Sequence, residues 1–332
     1  MQSNIGRFFQ GTAVTRFIPV FVLLLAGCAS APSPESKKYP PVDVDMKLVQ
    51  VSKHVFFVQG KAGAATENKG FISNAGFVVT NDGVVVFDAL GTPSLAQKFL
   101  GKIRTVTSAP IRKVVMSHYH ADHMYGLQVF KEQGAEIIAP DGARDYLNSP
   151  AADSLLKTRR EELKPWVDER THLVPADVYL TKDTEFTLGD VRFVITLQGM
   201  AHSEGDMAMQ VEPDNVLFTG DIIFEGRVPF IGEANTQNWL KRLELLQSVN
   251  VAALIPGHGP MAKDPNKLIR FTHRYLSYLR EKMGEAVDAG ITFDQAYDKV
   301  DWSEFEFVPA FFEANRRNAY NVYLAMQKEW FD

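Results

Sequence analysis

Two runs of consecutive apolar residues lie close together in the first third of the chain. Residues 76–79 (GFVV) and 84–87 (VVVF) are separated by a stretch that contains Asn81-Asp82-Gly83, a sequence typical of tight turns. The pattern predicts a β-hairpin over residues 74–88. Because both runs are apolar at every position rather than at alternate positions, we expect both strands to be buried on two faces.

Strand-like and helix-like patterns alternate along the rest of the chain up to residue 260, without an internal repeat of fixed period. Further strands are predicted at residues 47–51, 54–58, 113–116, 137–138, 184–188, 191–197, 207–211, 216–219 and 252–255, and helices at 94–105, 124–133, 143–170 and 238–247. This order predicts an α/β fold in which helices cover mixed sheets.

A helical extension is predicted at the C-terminal end. Asp264 and Pro265 form a favourable helix start, with a capping carboxylate and a proline at the first helical position. Apolar and aromatic residues then recur at helical spacing, and residues 309–330 have the same character. We therefore predict a main domain over residues 46–262 and a helical extension over residues 263–332, whose aromatic side chains belong to the core.

The N-terminal residues have the layout of a bacterial secretory signal. Basic residues precede an apolar run of nine residues, too short to span a bilayer, which ends in Leu25-Ala26-Gly27-Cys28. This tetrapeptide resembles a lipobox, so we expect a lipoprotein signal peptide over residues 1–27, a lipidated Cys28 in the envelope membrane, and a flexible tether over residues 28–45. Ala29 suits a periplasm-facing protein of the outer membrane. An ordinary cleaved signal with an incidental cysteine is the alternative.

The charge distribution argues against a nucleic-acid partner, and the cysteine content excludes sites that need several cysteines. The 332 residues include 35 Lys and Arg and 40 Asp and Glu, which gives a net charge of −5, and the basic residues are scattered. Nucleic-acid-binding proteins carry basic patches, so no nucleic-acid partner is expected. Cys28 is the only cysteine, which excludes an intramolecular disulfide and a zinc site built from cysteines.

A dense cluster of histidine and aspartate follows a short predicted strand. Residues 117–123 read Ser-His-Tyr-His-Ala-Asp-His. Side chains alternate along an extended segment, so His118 and His120 point to the same side, and the next loop can turn Asp122 and His123 toward the same place. Imidazoles and carboxylates this close together are costly to bury unless they bind a metal. Such ligands suit zinc and tolerate iron or manganese.

Three later segments each place one more candidate ligand just past the end of a predicted strand. They are His202 in Ala-His-Ser-Glu-Gly-Asp, Asp221 in Thr-Gly-Asp, and His258 in Pro-Gly-His-Gly. Open α/β sheets assemble their sites at the C-terminal ends of strands, and the neighbouring glycines allow tight turns there. We therefore expect these side chains to join the cluster at residues 118–123.

Together these motifs resemble those of the metallo-β-lactamase superfamily. The matching features are H-x-H-x-D-H at residues 118–123, His202, T-G-D at 219–221, P-G-H-G at 256–259 and the apolar strands at 74–88. The resemblance covers about residues 46–262. It implies a four-layer αββα sandwich with a C-terminal helical extension and a site for two Zn²⁺ per chain, with iron or manganese as possible replacements.

The resemblance also implies how seven side chains share the two ions. Carried over by position, His118, His120 and His202 would hold one ion, and Asp122, His123 and His258 the other, with Asp221 bridging both. Two such ions lower the pKa of bound water, so a metal-bound hydroxide would act as the nucleophile. Asp122 would be the catalytic residue that orients it.

The function implied is hydrolysis of a small-molecule ester, thioester, lactone or amide-type substrate in the cell envelope. The layout most resembles bacterial zinc metallohydrolases linked to sulfur oxidation and quinoprotein relay systems. Asp221 stands where one group of true β-lactamases has cysteine, which makes β-lactams a less favoured substrate. The alternatives are a β-lactamase, a mononuclear iron sulfur dioxygenase and a non-catalytic envelope metal-binding protein.

Some polar and aromatic residues outside these motifs have two interpretations. Asp88 ends a buried strand, where its carboxylate could contact a metal-binding histidine or simply accept a hydrogen bond from the backbone. Arg227, Phe230 and Trp166 could line a substrate cleft, although packing is the simpler interpretation of each. Asp206 is interpreted as a turn residue.

Overall fold

The structure is a computed structural model that describes residues 38–331. The predicted signal peptide (residues 1–27), Cys28 and the first part of the predicted tether lie outside the described residues. Within residues 38–331, no helix combines the length and the apolar character that crossing a membrane requires.

The first of two sheets has seven strands that lie side by side in chain order. They are β1 (Leu48–Gln50), β2 (Val55–Val58), β3 (Ala75–Thr80), β4 (Gly83–Phe87), β5 (Ile111–Val115), β6 (Glu136–Pro140) and β7 (Val178–Leu180). Strands β1 to β4 pair antiparallel and strands β4 to β7 pair parallel. The predicted hairpin is confirmed as β3 and β4, in which nearly every side chain is buried.

The second sheet has five strands in the order β12-β11-β10-β9-β8. They are β8 (Thr184–Leu188), β9 (Val191–Gly199), β10 (Asp206–Glu212), β11 (Val216–Phe218) and β12 (Ala253–Ile255). All pairs are antiparallel except β11 with β12, which is parallel.

Helices cover both sheets. They are α1 (Pro93–Val106), α2 (Ala121–Met124), α3 (Leu127–Glu132), α4 (Gly142–Leu147), α5 (Pro150–Glu162), α6 (Thr236–Gln247), α7 (Pro265–Asp288), α8 (Phe293–Tyr297) and α9 (Phe311–Phe331). The predicted start of the C-terminal extension is confirmed, since the Asp264 side chain caps α7 and Pro265 occupies its first turn.

Three hydrophobic cores define the layers. Val86 of β4 belongs to a core shared with α1 and α3, whereas its neighbour Val85 faces the other way, into a core shared with β9 and β10. Leu254 of β12 belongs to a third core, shared with α6, α7 and α9. Helix, sheet, sheet and helix therefore form a four-layer αββα sandwich, as predicted.

The predicted helix over residues 124–133 is wrong in one respect, because it is broken at Gly126 into α2 and α3. The Gly126 amide donates to the carbonyl of Leu90 at 3.2 Å, and the carbonyl of Asp122 accepts from the Ser73 hydroxyl at 2.5 Å. The bond that would continue the helix is thus replaced by bonds to other segments. As a consequence, Asp122 and His123 lie on a short helix and not on a loop.

The predicted flexible tether is wrong for its last residues, 38–45. Tyr39, Val42 and Val44 are buried in the first core, and the Tyr39 hydroxyl donates to Glu132 at 2.7 Å. The physical reason is a short alternation of apolar and acidic residues after the prolines, which buries one side of the segment and exposes the other.

Candidate metal centre

The candidate ligands converge on one edge of the sandwich, at the C-terminal ends of strands. His118 follows β5, His202 follows β9, Asp221 follows β11 and His258 follows β12. Parallel pairing of β11 with β12 brings their two C-terminal ends together. The remaining candidates are close in sequence to His118, so the fold gathers all of them at this edge.

Three imidazole rings form the first group. Nδ1 of His120 lies 3.0 Å from Nε2 of His118 and 2.9 Å from Nε2 of His202. The rings are close to mutually perpendicular, with interplanar angles of 81°, 83° and 87°. One nitrogen from each ring therefore points toward a shared space.

Asp122, His123 and His258 form the second group. Oδ2 of Asp122 lies 3.3 Å from Nε2 of His258 and 3.6 Å from Nε2 of His123. One ligand atom from each of these residues lies within 4.8 Å of the others. Helix α2 supplies the first two residues, and the loop after β12 supplies the third.

Asp221 lies between the two groups. Its Oδ2 is 3.4 Å from Nε2 of His202 and 3.8 Å from Nε2 of His118, and 3.3 Å from Nε2 of His258. Its Oδ1 is 3.1 Å from Nε2 of His123. The structure therefore brings all seven predicted ligands together, in the two groups that the resemblance implies.

Hydrogen bonds behind the rings fix their orientation. The Ser117 hydroxyl lies 2.9 Å from Nδ1 of His118 and donates to Oδ2 of Asp88 at 2.8 Å. The same Asp88 oxygen lies 2.8 Å from Nδ1 of His123, while Oδ1 accepts from the Ser117 amide at 2.7 Å. Both interpretations of Asp88 therefore hold at once. Ser117 was missed, although it stands inside the motif.

Aromatic residues support two of the histidines. The Phe224 ring stacks on His258 at 4.9 Å with an interplanar angle of 7°, and Nδ1 of His258 donates to the carbonyl of Ile72 at 2.7 Å. The Trp239 ring lies 5.0 Å from His202. Sequence reasoning missed these neighbours because an apolar residue carries no signal of its distant contacts.

Burial and charge set the protonation of the cluster. Burial, with help from neighbouring imidazoles, holds the pKa of His118 well below its usual value, and burial lowers the pKa of His202 to about 3. Burial also opposes charge on His123, but the carboxylates of Asp221 and Asp122 outweigh it and raise the pKa of that ring. The lowered pKa values keep His118 and His202 neutral, the state in which imidazole binds a metal, whereas His123 has to release a proton when a metal binds.

The donor set fits a metal ion. Nε2 of His123 and Oδ1 of Asp221 are buried and lie 3.1 Å apart, yet within residues 38–331 neither finds a hydrogen-bond partner. A buried polar atom without a partner costs about 1–3 kcal/mol. A cation that both atoms coordinate removes this cost, and imidazole nitrogen with carboxylate oxygen is a ligand set that zinc takes.

The other residues singled out in the sequence lie in different places. Phe230 borders the cluster, with its ring 5.8 Å from that of His120, and Arg227 interacts electrostatically with the cluster's carboxylates. Trp166 packs against the first core. Asp206 was interpreted as a turn residue but is the first residue of β10; it accepts hydrogen bonds of 2.9 and 2.8 Å from Ser203 in the preceding turn, and burial raises its pKa to about 7.

Comparison with known proteins gives one family and several distant relatives. A family model described as the metallo-beta-lactamase superfamily matches residues 68–258. The metallo-beta-lactamase IND-1 of Chryseobacterium indologenes is 23% identical over 244 residues, which are 71% of this chain and 87% of that protein. The acyl-coenzyme A thioesterase MBLAC2 of Gallus gallus is 24% identical over 184 residues, which are 49% of this chain and 61% of that protein.

Among solved structures, the sec-alkylsulfatase Pisa1 from Pseudomonas sp. is similar to this chain with a TM-score of 0.64 and 18% sequence identity. The match covers 84% of this chain and 50% of the alkylsulfatase, so the chain spans about half the length of that relative. At this identity the likeness shows the fold, and it does not assign a substrate.

Proposed function

Since the chain belongs to the metallo-beta-lactamase superfamily, we propose that it is a dinuclear zinc hydrolase acting on an ester, thioester, lactone or amide-type bond of a small molecule. The class of metal-dependent hydrolase follows from the family and from the His/Asp cluster. The two zinc ions and the substrate are the proposed part. The observation that carries them is Asp221, whose Oδ2 lies within 3.8 Å of nitrogens from both groups.

Each group of side chains would hold one ion. His118, His120 and His202 form one set, and Asp122, His123 and His258 the other, with Asp221 between them. Bound zinc supplies a nucleophile from water at neutral pH and polarises the oxygen of the scissile bond.

Asp122 is placed to orient the attacking water as an ionised carboxylate. Its side chain is 21% exposed, against 4% for Asp221, so it faces the solvent side of the cluster. Burial favours its protonated form, but the imidazoles of His123 and His258 outweigh burial and hold the pKa of Asp122 well below its usual range. Its shortest contacts with these rings, 3.6 Å to Nε2 of His123 and 3.3 Å to Nε2 of His258, are made by Oδ2.

A hydrolysis panel tests the proposal. Zinc-loaded protein is assayed with β-lactams, thioesters, lactones, aryl phosphodiesters and sulfate esters, beside Asp122→Asn. We expect hydrolysis of a thioester, lactone or other ester, and a loss of about 10²-fold or more in Asp122→Asn because the carboxylate that orients the water is replaced. Full activity in the variant would contradict the role of Asp122, and turnover of β-lactams alone would make the chain a β-lactamase.

Metal analysis separates the remaining alternatives. Protein purified without added metal should contain about two zinc ions per chain, as a two-metal hydrolase requires. A single iron would instead favour the mononuclear sulfur dioxygenase. Bound zinc without activity on any member of the panel would favour a non-catalytic metal-binding protein.

The location in the cell envelope and the subgroup linked to sulfur oxidation and quinoprotein relays are also proposed. Their support is the lipobox-like sequence that ends in Cys28, and the overall layout. Metabolic labelling with a radioactive fatty acid tests the anchor. We expect label on the native chain and none on Cys28→Ser, and an unlabelled native chain in the soluble periplasmic fraction would mean an ordinary cleaved signal.

A further inference from the structure

The segment from Phe224 to Gly232 runs between the metal cluster and the C-terminal extension. At its start the Phe224 ring stacks on His258, and further along the Phe230 ring lies 5.8 Å from that of His120. The segment therefore touches one histidine of each group and forms part of the border of the site.

Arg227 in this segment is a buried cation without an acidic partner. Its exposed fraction is 8%, and its hydrogen bonds go to two backbone carbonyls, from Nη1 to Gly63 at 3.3 Å and from Nε to Val228 at 3.4 Å. No carboxylate oxygen of the described residues lies within 4.0 Å of it, and Nη2 makes no hydrogen bond to them. Buried arginine is normally paired, because an unpaired buried charge is costly.

The carboxylates that interact electrostatically with Arg227 do not offset the cost of burying its charge. Arg227 interacts with Asp122, Asp221 and Glu313, and burial outweighs all three and lowers its pKa. Asp122 and Asp221 are engaged with histidine nitrogens at 3.1–3.6 Å. The guanidinium thus keeps donor capacity, on a segment whose Phe224 and Phe230 rings contact histidines of the cluster.

The C-terminal extension holds this segment in place. The fully buried Asn318 of α9 donates to the carbonyl of Pro229 at 2.6 Å and accepts from the amide of Ile231 at 3.0 Å. Asn321 donates to the carbonyl of Gly232 at 2.7 Å, and the amide of Val228 donates to Pro309 at 2.9 Å. Groups fixed before binding lose little entropy when a ligand arrives.

We propose that Arg227 binds a negatively charged oxygen-bearing group of the substrate, and that α9 positions Arg227 through Asn318. The substrate is then an anionic ester or thioester whose charged group lies near the scissile bond, an inference that rests on the proposed hydrolase function. Asn318 is a positioning residue that acts through the backbone of residues 229–231. The extension is part of the substrate site as well as of the core.

Two substrates that differ only in charge test the proposal. The zinc-loaded full chain is assayed with 4-nitrophenyl hemisuccinate and with 4-nitrophenyl butyrate, whose acyl chains have equal length. For Arg227→Met we expect KM for the hemisuccinate to rise about tenfold or more, since a hydrogen bond to a charged group is lost. KM for the butyrate, which lacks the charged group, should rise by a clearly smaller factor, and Arg227→Lys should recover part of the affinity for the hemisuccinate. An equal rise in KM for both esters would overturn the role of Arg227.

Asn315 provides a matched control for the positioning role. Asn315 and Asn318 are both fully buried on α9 and both hydrogen-bond to the Tyr275 hydroxyl, but Asn315 makes no hydrogen bond to residues 224–232. Both Asn→Leu variants should be less stable than the native chain. Only Asn318→Leu should raise KM for the hemisuccinate, and equal effects of the two variants on KM would overturn the role of Asn318.

Binding of an anion to Arg227 can also be measured without hydrolysis of a substrate. Succinate should raise the thermal unfolding midpoint of native protein, the neutral succinamide should not, and Arg227→Met should lose the succinate effect. A parallel series with sulfate separates a carboxylate from a sulfate as the preferred group. Equal succinate shifts in native and Arg227→Met protein, or no shift in either, would overturn the inference. If native protein binds succinate through Arg227 but hydrolyses neither ester nor any member of the substrate panel, the anion site stands and the proposed hydrolase function fails.

Discussion

Oδ2 of Asp88 lies 2.8 Å from Nδ1 of His123 and accepts a hydrogen bond from the Ser117 hydroxyl, which itself lies 2.9 Å from Nδ1 of His118. One buried carboxylate thus orients a histidine of each group. Asp88 has a φ of 62°, a left-handed conformation that residues other than glycine rarely adopt. Such strain persists where the surrounding contacts hold the residue in place, and it is common at functional sites.

We expect Asp88→Asn to weaken zinc binding. The amide keeps the shape of the carboxylate but replaces one acceptor oxygen with an NH₂ donor, so it cannot accept from the Ser117 amide on one side and from the Ser117 hydroxyl and His123 on the other. Loss of such a contact behind a metal-binding histidine typically lowers metal affinity by about 10–100-fold. Titration against a chromophoric zinc chelator measures the change.

Asp190→Asn is the matched control. Asp190 also contacts a histidine, with Oδ2 3.2 Å from Nε2 of His54. It lies just before β9, however, at the end of that strand opposite the end that leads to His202 of the cluster. Zinc affinity should stay at the native value in this variant. A similar loss in both variants would mean that the effect of Asp88→Asn is a general loss of stability.

Gly257→Ala should disrupt the position of the bridging carboxylate. A Cβ at residue 257 would lie 2.0 Å from Oδ1 of Asp221 and 2.6 Å from the carbonyl carbon of Gly220. The backbone cannot yield easily, because the Gly257 amide donates to the Gly220 carbonyl at 2.7 Å. We expect a loss of about 1–3 kcal/mol in the free energy of unfolding together with loss of bound zinc, measured by urea titration and metal analysis.

Gly101→Ala tests the same exchange where space is free. No atom lies within 4 Å of a Cβ at Gly101, which stands inside α1. Alanine is the better helix former, so this variant should gain about 0.5–1 kcal/mol and keep its zinc. Retention of zinc in Gly257→Ala as well would show that Asp221 can move without loss of the site.

The sequence predicted most of this architecture because its strongest signals are local. The β3–β4 hairpin follows from two apolar runs and a turn sequence, and the seven candidate ligands follow from short motifs at strand ends. Their convergence needs only the rule that the C-terminal ends of such strands meet at one edge of the fold.

What the sequence did not predict depends on contacts between distant segments. The break at Gly126 arises because its amide bonds to Leu90, and the bonds from Asn318 to residues 229–231 join parts of the chain that are far apart in sequence. The segment that contains Val42 and Val44 was read as a tether because nearby prolines and charges masked a short alternating pattern. Neither composition nor periodicity encodes which partner such residues find.

Trp239→Phe should loosen the turn that carries Asp221. The indole Nε1 donates to the carbonyl of Ile222 at 2.8 Å, at the end of the 3₁₀ turn Gly220–Ile222. Phenylalanine keeps the contact with His202 but leaves a buried carbonyl without this donor, which costs about 1–3 kcal/mol. Urea unfolding should show this loss, whereas Trp302→Phe, at a partly exposed indole in the extension, should cost less. Equal losses would mean that burial of the carbonyl does not set the cost of losing the indole donor.

Removal of metal should destabilise the native fold as well as abolish hydrolysis. Without a cation, Nε2 of His123 and Oδ1 of Asp221 stay buried without a hydrogen-bond partner among residues 38–331, and the free energy of zinc binding to the folded state is lost. That loss amounts to about 4 kcal/mol when free zinc exceeds its dissociation constant by about 1,000-fold. Calorimetry of native, chelator-treated and zinc-restored protein should show the unfolding temperature fall and then recover.

Magnesium should not restore the unfolding temperature, because that ion prefers an octahedral shell of oxygen ligands. Identical melting of treated and untreated protein, with zinc removal verified by metal analysis, would contradict a metal ion held by these side chains.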